Sequence, residues 1–451
     1  MRRLCYFQRM ILYARQPTPR IAFMAQWLGM RLFGHGLQIV SDSENLPTGE
    51  RVLNYSGEKI TGPSYQVVPH GLLHQQGIIR QTIAVSKQGS LPFFFATAGV
   101  DHGFDVLAAS FFLLQRYEEY YPGYELDEYG RYSHLNSVAW QQGFLKRPIV
   151  DEWVEDLKEK LSARFEGMRF AALEPSLLAT CDVDMAWSYR HKGLLRNIGG
   201  HFNDFRNLRW GKILERWLVL AGLKKDPFEI LFELEEAHRY YHIPSCYFFL
   251  LAAQHQGYDK NISPRSKNLQ RLIRWIQEDT AVGIHLSWAA SQDTSVMQAE
   301  KQCLEKVVQQ PVLRNRMHYL NFRLPETYRQ LAALGIAADY SMGYGTINGF
   351  RAGTSHPYHW YDLEKEATTA LKVFPFAWMD ANSIFEQKDS PDAACAEWMQ
   401  LYEPVKATGG TFITICHNHL MGRDAEGRPW WLMYNRALKA CGYTKEEETG
   451  D

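Results

Sequence analysis

Two aspartates set two apart follow an apolar run: Leu177-Leu178-Ala179-Thr180-Cys181 leads straight into Asp182-Val183-Asp184. On an extended backbone residues i and i+2 share a face. Two carboxylates held together there raise one pKa or bind a cation. The same pair also suits a helix N-terminus, since Asp is a favoured cap. Histidines stand in comparable places: Val282-Gly283-Ile284 runs into His285, and the run 411–416 into His417-Asn418-His419. Arg351 falls in the loop segment Gly349-Phe350-Arg351-Ala352-Gly353-Thr354, and Asp380 follows another apolar run. Each has an ordinary structural reading as a core histidine, a cap or an ion-pair partner. All of them at the ends of apolar runs point instead to one site that moves protons or holds a metal.

The elements that must position these residues are short apolar or β-branched runs at 177–181, 246–250, 282–284, 318–320, 337–340, 371–374 and 411–415. Helical patterns lie between most of them, at 226–240, 266–278, 295–309 and 325–335. Such alternation implies parallel strands joined by crossover helices. Seven runs fit an irregular (β/α)7-type barrel better than a flat sheet, and a barrel gathers its site at the C-terminal strand ends. Before about residue 165 the rhythm differs, with a strand at 11–14, alternation at 78–85, an apolar helix at 104–121 and a helix from Ile149 with Pro148 in its first turn. The expected division is therefore a smaller α+β or α/β N-terminal domain over 1–165, its role not legible, and a barrel domain over 166–451.

Composition narrows the function. Among 451 residues, 49 Lys and Arg meet 50 Asp and Glu, so there is no basic field for a nucleic acid. The longest apolar stretches, 107–114, 217–223 and 246–253, fall far short of the ~20 residues a membrane span needs. Seven scattered cysteines without a C-x-x-C pair read as reduced thiols. With no export signal after Met1-Arg2-Arg3, the expected location is cytoplasmic.

The ordered set resembles the polysaccharide deacetylase family, the chitooligosaccharide deacetylase type of carbohydrate esterase, over roughly residues 176–451. Bacterial members with an extra N-terminal domain are similar in pattern, through Gly335-Ile336, the segments 339–344 and 349–354, and Pro375-Phe376. The resemblance implies a divalent metal, commonly zinc, and removal of N- or O-acetyl groups from an acetylated saccharide. Matched to the family's Thr-Phe-Asp-Asp-Gly, the segment 180–184 implies Asp182 as general base and Asp184 as metal ligand, with the inserted Val183 leaving the reverse open. The family's His-Ser/Thr-x-x-His carries two metal histidines. Here His285-Leu286-Ser287-Trp288-Ala289 keeps the first and has alanine for the second. Ser287 and His318 are the available replacements. Imidazole is the better zinc ligand, but His318 opens its run, the wrong end for a barrel site.

By the same resemblance Arg351, with Pro357-Tyr358 beyond it, orients the base, His417 is the acid, and Asp380 orients His417. Trp288, Tyr358 and Trp360 are candidates for stacking on sugar rings. In such a reaction a metal polarises the carbonyl, a carboxylate takes a water's proton and an imidazole protonates the leaving group. Two other readings rank below it. A catalytically inactive carbohydrate-binding relative fits the missing histidine. A metal-dependent glycosyltransferase using Asp182-Val183-Asp184 comes third, lacking a phosphate loop and leaving His285 and His417 without a role. The expected partner is a saccharide, with no nucleic acid and no membrane span; the sequence leaves the oligomeric state open.

Overall fold

The computed structural model describes residues 10–98, 101–253 and 257–441. The start of the N-terminal region, Met1-Arg2-Arg3 included, lies outside them. In that region β1 (Met10–Tyr13), β2 (Gln38–Val40), β3 (Arg51–Asn54) and β4 (Ser64–Gln66) form a parallel sheet in the order β2-β1-β3-β4. β1 is apolar throughout because it is buried between two neighbours. β5 (Ser86–Gln88) and β6 (Leu91–Phe93) make a small antiparallel pair. The alternating segment 78–85 forms no strand. Its Ile79 and Gln81 N–H groups donate instead to the hydroxyls of Tyr117 and Tyr121, both at 2.9 Å. The helix expected over 104–121 is Val106–Leu114 followed by a 3-10 turn, Tyr117–Tyr120. Arg116 breaks it, its backbone left-handed (φ 52°) and its buried guanidinium bonded to Glu118 and Glu119.

Nine further strands make one sheet: β7 (Ser176–Val183), β8 (Ser245–Leu250), β9 (Ala281–Leu286), β10 (Arg314–Met317), β11 (Ala338–Asp339), β12 (Tyr358–Asp362), β13 (Ala367–Val373), β14 (Trp378–Met379) and β15 (Thr411–His417). The order is β12-β13-β11-β10-β9-β8-β7-β15-β14, and every pairing except β12 with β13 is parallel. Crossover helices include Leu231–Tyr240, Lys267–Gln277, Thr294–Val308 and Glu326–Ala333. Ser266 caps the second of these through Leu269 N–H, as a residue of its type should.

The expected barrel is not closed by a strand ladder: none joins β12 to β14 among the described residues. β13 and β14 are, however, successive on the chain, the first pairing with β11 and the second with β15. Between them Phe374, Phe376 and Ala377 donate their N–H groups to the carbonyls of Asp339, Met342 and Ile413 at 2.8, 3.1 and 3.0 Å.

One strand expectation needs correcting. The run at 318–320 is a 3-10 turn with Tyr319 and Leu320 at φ 56° and 54°, and β10 ends at Met317, immediately before it. His318 thus stands at the C-terminal end of its strand. Two helices not expected from the sequence lie between β7 and β8, Leu194–Arg206 and Trp210–Leu220.

The N-terminal region packs directly on this sheet and its loops. A buried apolar cluster runs through both, and buried charges cross between them. Arg20 pairs with Glu366; Asp151 accepts from Arg31, Thr354 and Ser355; Glu119 accepts from Arg351. No helix among the described residues is long and apolar enough to cross a membrane.

Candidate metal centre

β7, β9, β10 and β15 lie side by side or one strand apart, so the residues at their ends converge. Asp184 follows β7, His285 lies near the end of β9, and His318 follows β10. One ligand atom from each lies within 4.8 Å of the others. His285 Nε2 is 3.3 Å from Asp184 Oδ1, and His318 Nε2 is 3.8 Å from Asp184 Oδ2.

Both imidazoles are held by their other nitrogen. His285 Nδ1 is 3.0 Å from the Arg316 carbonyl, which can only accept, so Nδ1 carries a proton and Nε2 is the nitrogen turned toward Asp184. His318 Nδ1 donates to Asp259 Oδ1 at 2.9 Å. This is how proteins fix the tautomer of a metal-binding histidine. Asp184 Oδ1 is buried and makes no hydrogen bond. Burial works against the Asp184 carboxylate, yet the nearby histidines hold it well below its usual range. Burial alone lowers His318; Asp184 and Asp259 outweigh it and raise the ring to about 9. Two imidazoles and a carboxylate with one buried, unbonded oxygen are the donor set of a catalytic zinc-type site.

Two further groups border the three. Asp182 Oδ1 accepts from Arg316 Nη1 at 2.9 Å, and its Oδ2 lies 3.7 Å from His285 Nε2 and 4.0 Å from His417 Nε2. His417 ends β15; its Nδ1–H and backbone N–H both donate to Asp380, each at 2.6 Å. Burial lowers this ring, but the carboxylates of Asp380, Asp184 and Asp182 together outweigh it, Asp380 most, and raise His417 to about 10. A cavity of about 190 Å³ opens over the group, lined also by Tyr129, Arg131, Tyr319 and His419.

Of the residues expected here, the structure brings together Asp182, Asp184, His285, His318, His417 and Asp380. Arg351 is not among them. It lies buried elsewhere, donating to Glu119 at 2.6 and 2.9 Å and to the Gly343 carbonyl, with Phe322 under its guanidinium at 4.6 Å. Arg316 takes the place beside Asp182, bonded also to Thr180 Oγ1 and the Tyr340 carbonyl. Tyr358 and Trp360 are buried in β12, where Trp360 packs edge-on against Tyr328 at 5.5 Å, so neither ring offers a face to a sugar. Trp288 is half-buried and lies 4.3 Å from the Tyr258 ring, beside Tyr319. Asp259 and Arg316 escaped the sequence reading, as did Tyr129 and Arg131 from the N-terminal region. A signal for Arg316 existed: a charged residue two before His318, which an extended strand turns to the same face.

A family described only as a family of unknown function (DUF7033) matches residues 10–166. No curated protein matches the chain. Among solved structures, a Mycobacterium smegmatis protein named as a polysaccharide deacetylase is similar at 17% identity and a TM-score of 0.39, over 60% of this chain and 85% of that one. The Puue allantoinase matches at 12% identity and a TM-score of 0.38, over 59% and 84%. A CE4 family pseudoenzyme from Bacillus anthracis matches at 12% identity and a TM-score of 0.30, over 60% and 66%.

Proposed function

We propose that this chain is a metal-dependent hydrolase that removes N- or O-linked acetyl groups from a carbohydrate, with residues 166–451 as its catalytic unit and the β7–β15 sheet wrapped as an irregular (β/α)7-type barrel. The observation that carries this reading is the convergence of Asp184, His285 and His318 with their ligand atoms within 4.8 Å, beside Asp182 and His417. Zinc suits three protein ligands of these types, and when bound supplies Lewis-acid polarisation of a carbonyl oxygen. Asp182 is the proton acceptor: Arg316 fixes its Oδ1 and leaves Oδ2 facing the cavity. His417, kept protonated by Asp380, is the proton donor to the leaving group. The acetyl and saccharide parts rest on the ordered motifs at 180–184, 285–289 and 415–417.

An inactive, carbohydrate-binding relative is the second reading, favoured by Ala289 in the place of a ligand. His318, with its own carboxylate partner, weakens that reading.

The test is metal content together with acetate release from a panel of acetylated saccharides. Expected are about one metal per chain and acetate release that Asp182→Asn abolishes while keeping the metal. A parent that binds metal but releases no acetate from any saccharide supports the inactive relative. A metal-free parent, or a fully active Asp182→Asn, overturns the mechanism.

A further inference from the structure

The two helices inserted between β7 and β8 are packed inside out. Their mutual contact includes a buried polar cluster, in which Arg216 donates to Asp204 at 2.7 Å and to Asn197 at 3.2 Å, while Phe205 packs edge-on against Trp210 at 5.3 Å. Most of their large apolar residues point to solvent instead, Val219 being the buried exception. Eleven of the twenty-two exposed large apolar side chains among the described residues lie between 194 and 223. Leu195 is 86% exposed and Leu208 72%, and Phe202, Phe205, Trp210 and Leu214 continue the same surface. Surface patches of this size on an otherwise well-buried protein mark a binding surface.

Charge identifies the occupant. Residues 194–220 carry five Lys and Arg against two Asp and Glu, a net of +3 in a chain whose total is −1. Basic and apolar residues interleave at the tip, where Arg206 and Arg209 are exposed among Phe205, Leu208 and Trp210. Two copies meeting through this face would bring like charges together. An anionic lipid surface accepts both features at once, the rings and leucines entering the headgroup boundary and the cations meeting lipid phosphates and carboxylates.

We propose that the helical hairpin 194–220 docks this protein on the surface of an anionic membrane without spanning it. The hairpin begins ten residues after Asp184, so docking sets the metal centre on the side of the molecule that carries the lipid-facing helices. A cavity of about 870 Å³, lined from the hairpin by Arg196 and Lys212 and by Lys192 just before it, shares Phe385 and His419 with the cavity over the centre.

The test is sedimentation of the full-length protein with phosphatidylcholine–phosphatidylserine vesicles, beside pure phosphatidylcholine vesicles. Binding to the first and much weaker binding to the second are expected, falling as salt is raised. Phe205→Ser with Leu208→Ser and Trp210→Ser, or Arg206→Glu with Arg209→Glu, should each weaken binding about tenfold or more. All five positions are exposed, and circular dichroism verifies that the variants fold. Failure of the parent to sediment with the anionic vesicles, or binding that neither variant weakens, overturns the proposal. So does a stable dimer in light scattering that the serine variant dissociates, which would make the face a contact between copies.

Discussion

Asp259 sets where His318 points, and removing its charge should be felt at the metal. Its Oδ1 accepts from His318 Nδ1 and from Trp288 N–H, both at 2.9 Å, and its Oδ2 accepts from Ala289 N–H at 3.2 Å. Asp259→Asn keeps the shape but turns one acceptor into a donor. The amide NH₂ must then face a donor whichever way it turns. The smaller loss places it against Ala289, a part-buried contact at 3.2 Å, so the unpaired donor costs about 1 kcal/mol of stability, the low end for such a group. His318 keeps a hydrogen bond, but to a neutral amide oxygen, which makes Nε2 a poorer ligand. Loss of such an outer partner lowers metal affinity about 10–100-fold, or about 1.4–2.7 kcal/mol. Zinc affinity, read by competition with a chromophoric chelator, should fall by that factor in Asp259→Asn and further in His318→Ala. Urea unfolding of the metal-free protein reads the stability loss separately. If Asp259→Asn and His318→Ala both bind zinc as tightly as the parent while His285→Ala does not, His318 is no ligand and the reasoning fails.

Asp380→Asn should lower the His417 ionisation from about 10 toward the ordinary imidazole value of about 6.5, followed by NMR titration of the ring. Because the folded value is raised, the His417 proton stabilises the parent fully below about pH 6.5, and that stability is lost as pH rises through about 10, a loss the variant should largely lack; an unchanged titration would detach Asp380 from His417. Glu119→Gln leaves the buried Arg116 and Arg351 guanidiniums without their shared carboxylate and should destabilise the protein by about 3–5 kcal/mol in urea unfolding, whereas a loss under about 1 kcal/mol would mean the network relaxes around the amide.

What could be read from the sequence follows from how each residue's neighbours are encoded. β8 and β15 were legible because strands covered on both faces read as nearly continuous apolar or β-branched runs. Asp184, His285 and His417 were legible because each interrupts or ends such a run. β14 is two residues long and β12 is an edge strand of mixed character, so neither gives a run to find. Arg351 was misplaced for a different reason. Its segment locates it in a loop but cannot say which carboxylate it will meet, and Glu119 lies 232 residues away. The helical hairpin was not anticipated although Leu194, Ile198, Phe202 and Phe205 recur at helical spacing; the stripe faces solvent, and periodicity alone does not say which side of a helix is buried.

The position of His318 shows why a strand shifted by a few residues matters more than a missing motif residue. β9 and β10 are parallel neighbours in a register that sets Arg316 opposite His285. The strand ends at Met317, so His318 emerges at the same end of the sheet as His285 and reaches the cluster from the adjacent strand. After β9, where the resembled motif places its second histidine, the backbone of Trp288 and Ala289 binds Asp259, and Asp259 binds His318. The turn that would have presented an imidazole directly holds the carboxylate that orients one from next door. Position 289 can therefore be alanine while the centre keeps two imidazoles and a carboxylate. What position 289 supplies in this structure is a backbone N–H to Asp259, which any residue except proline has.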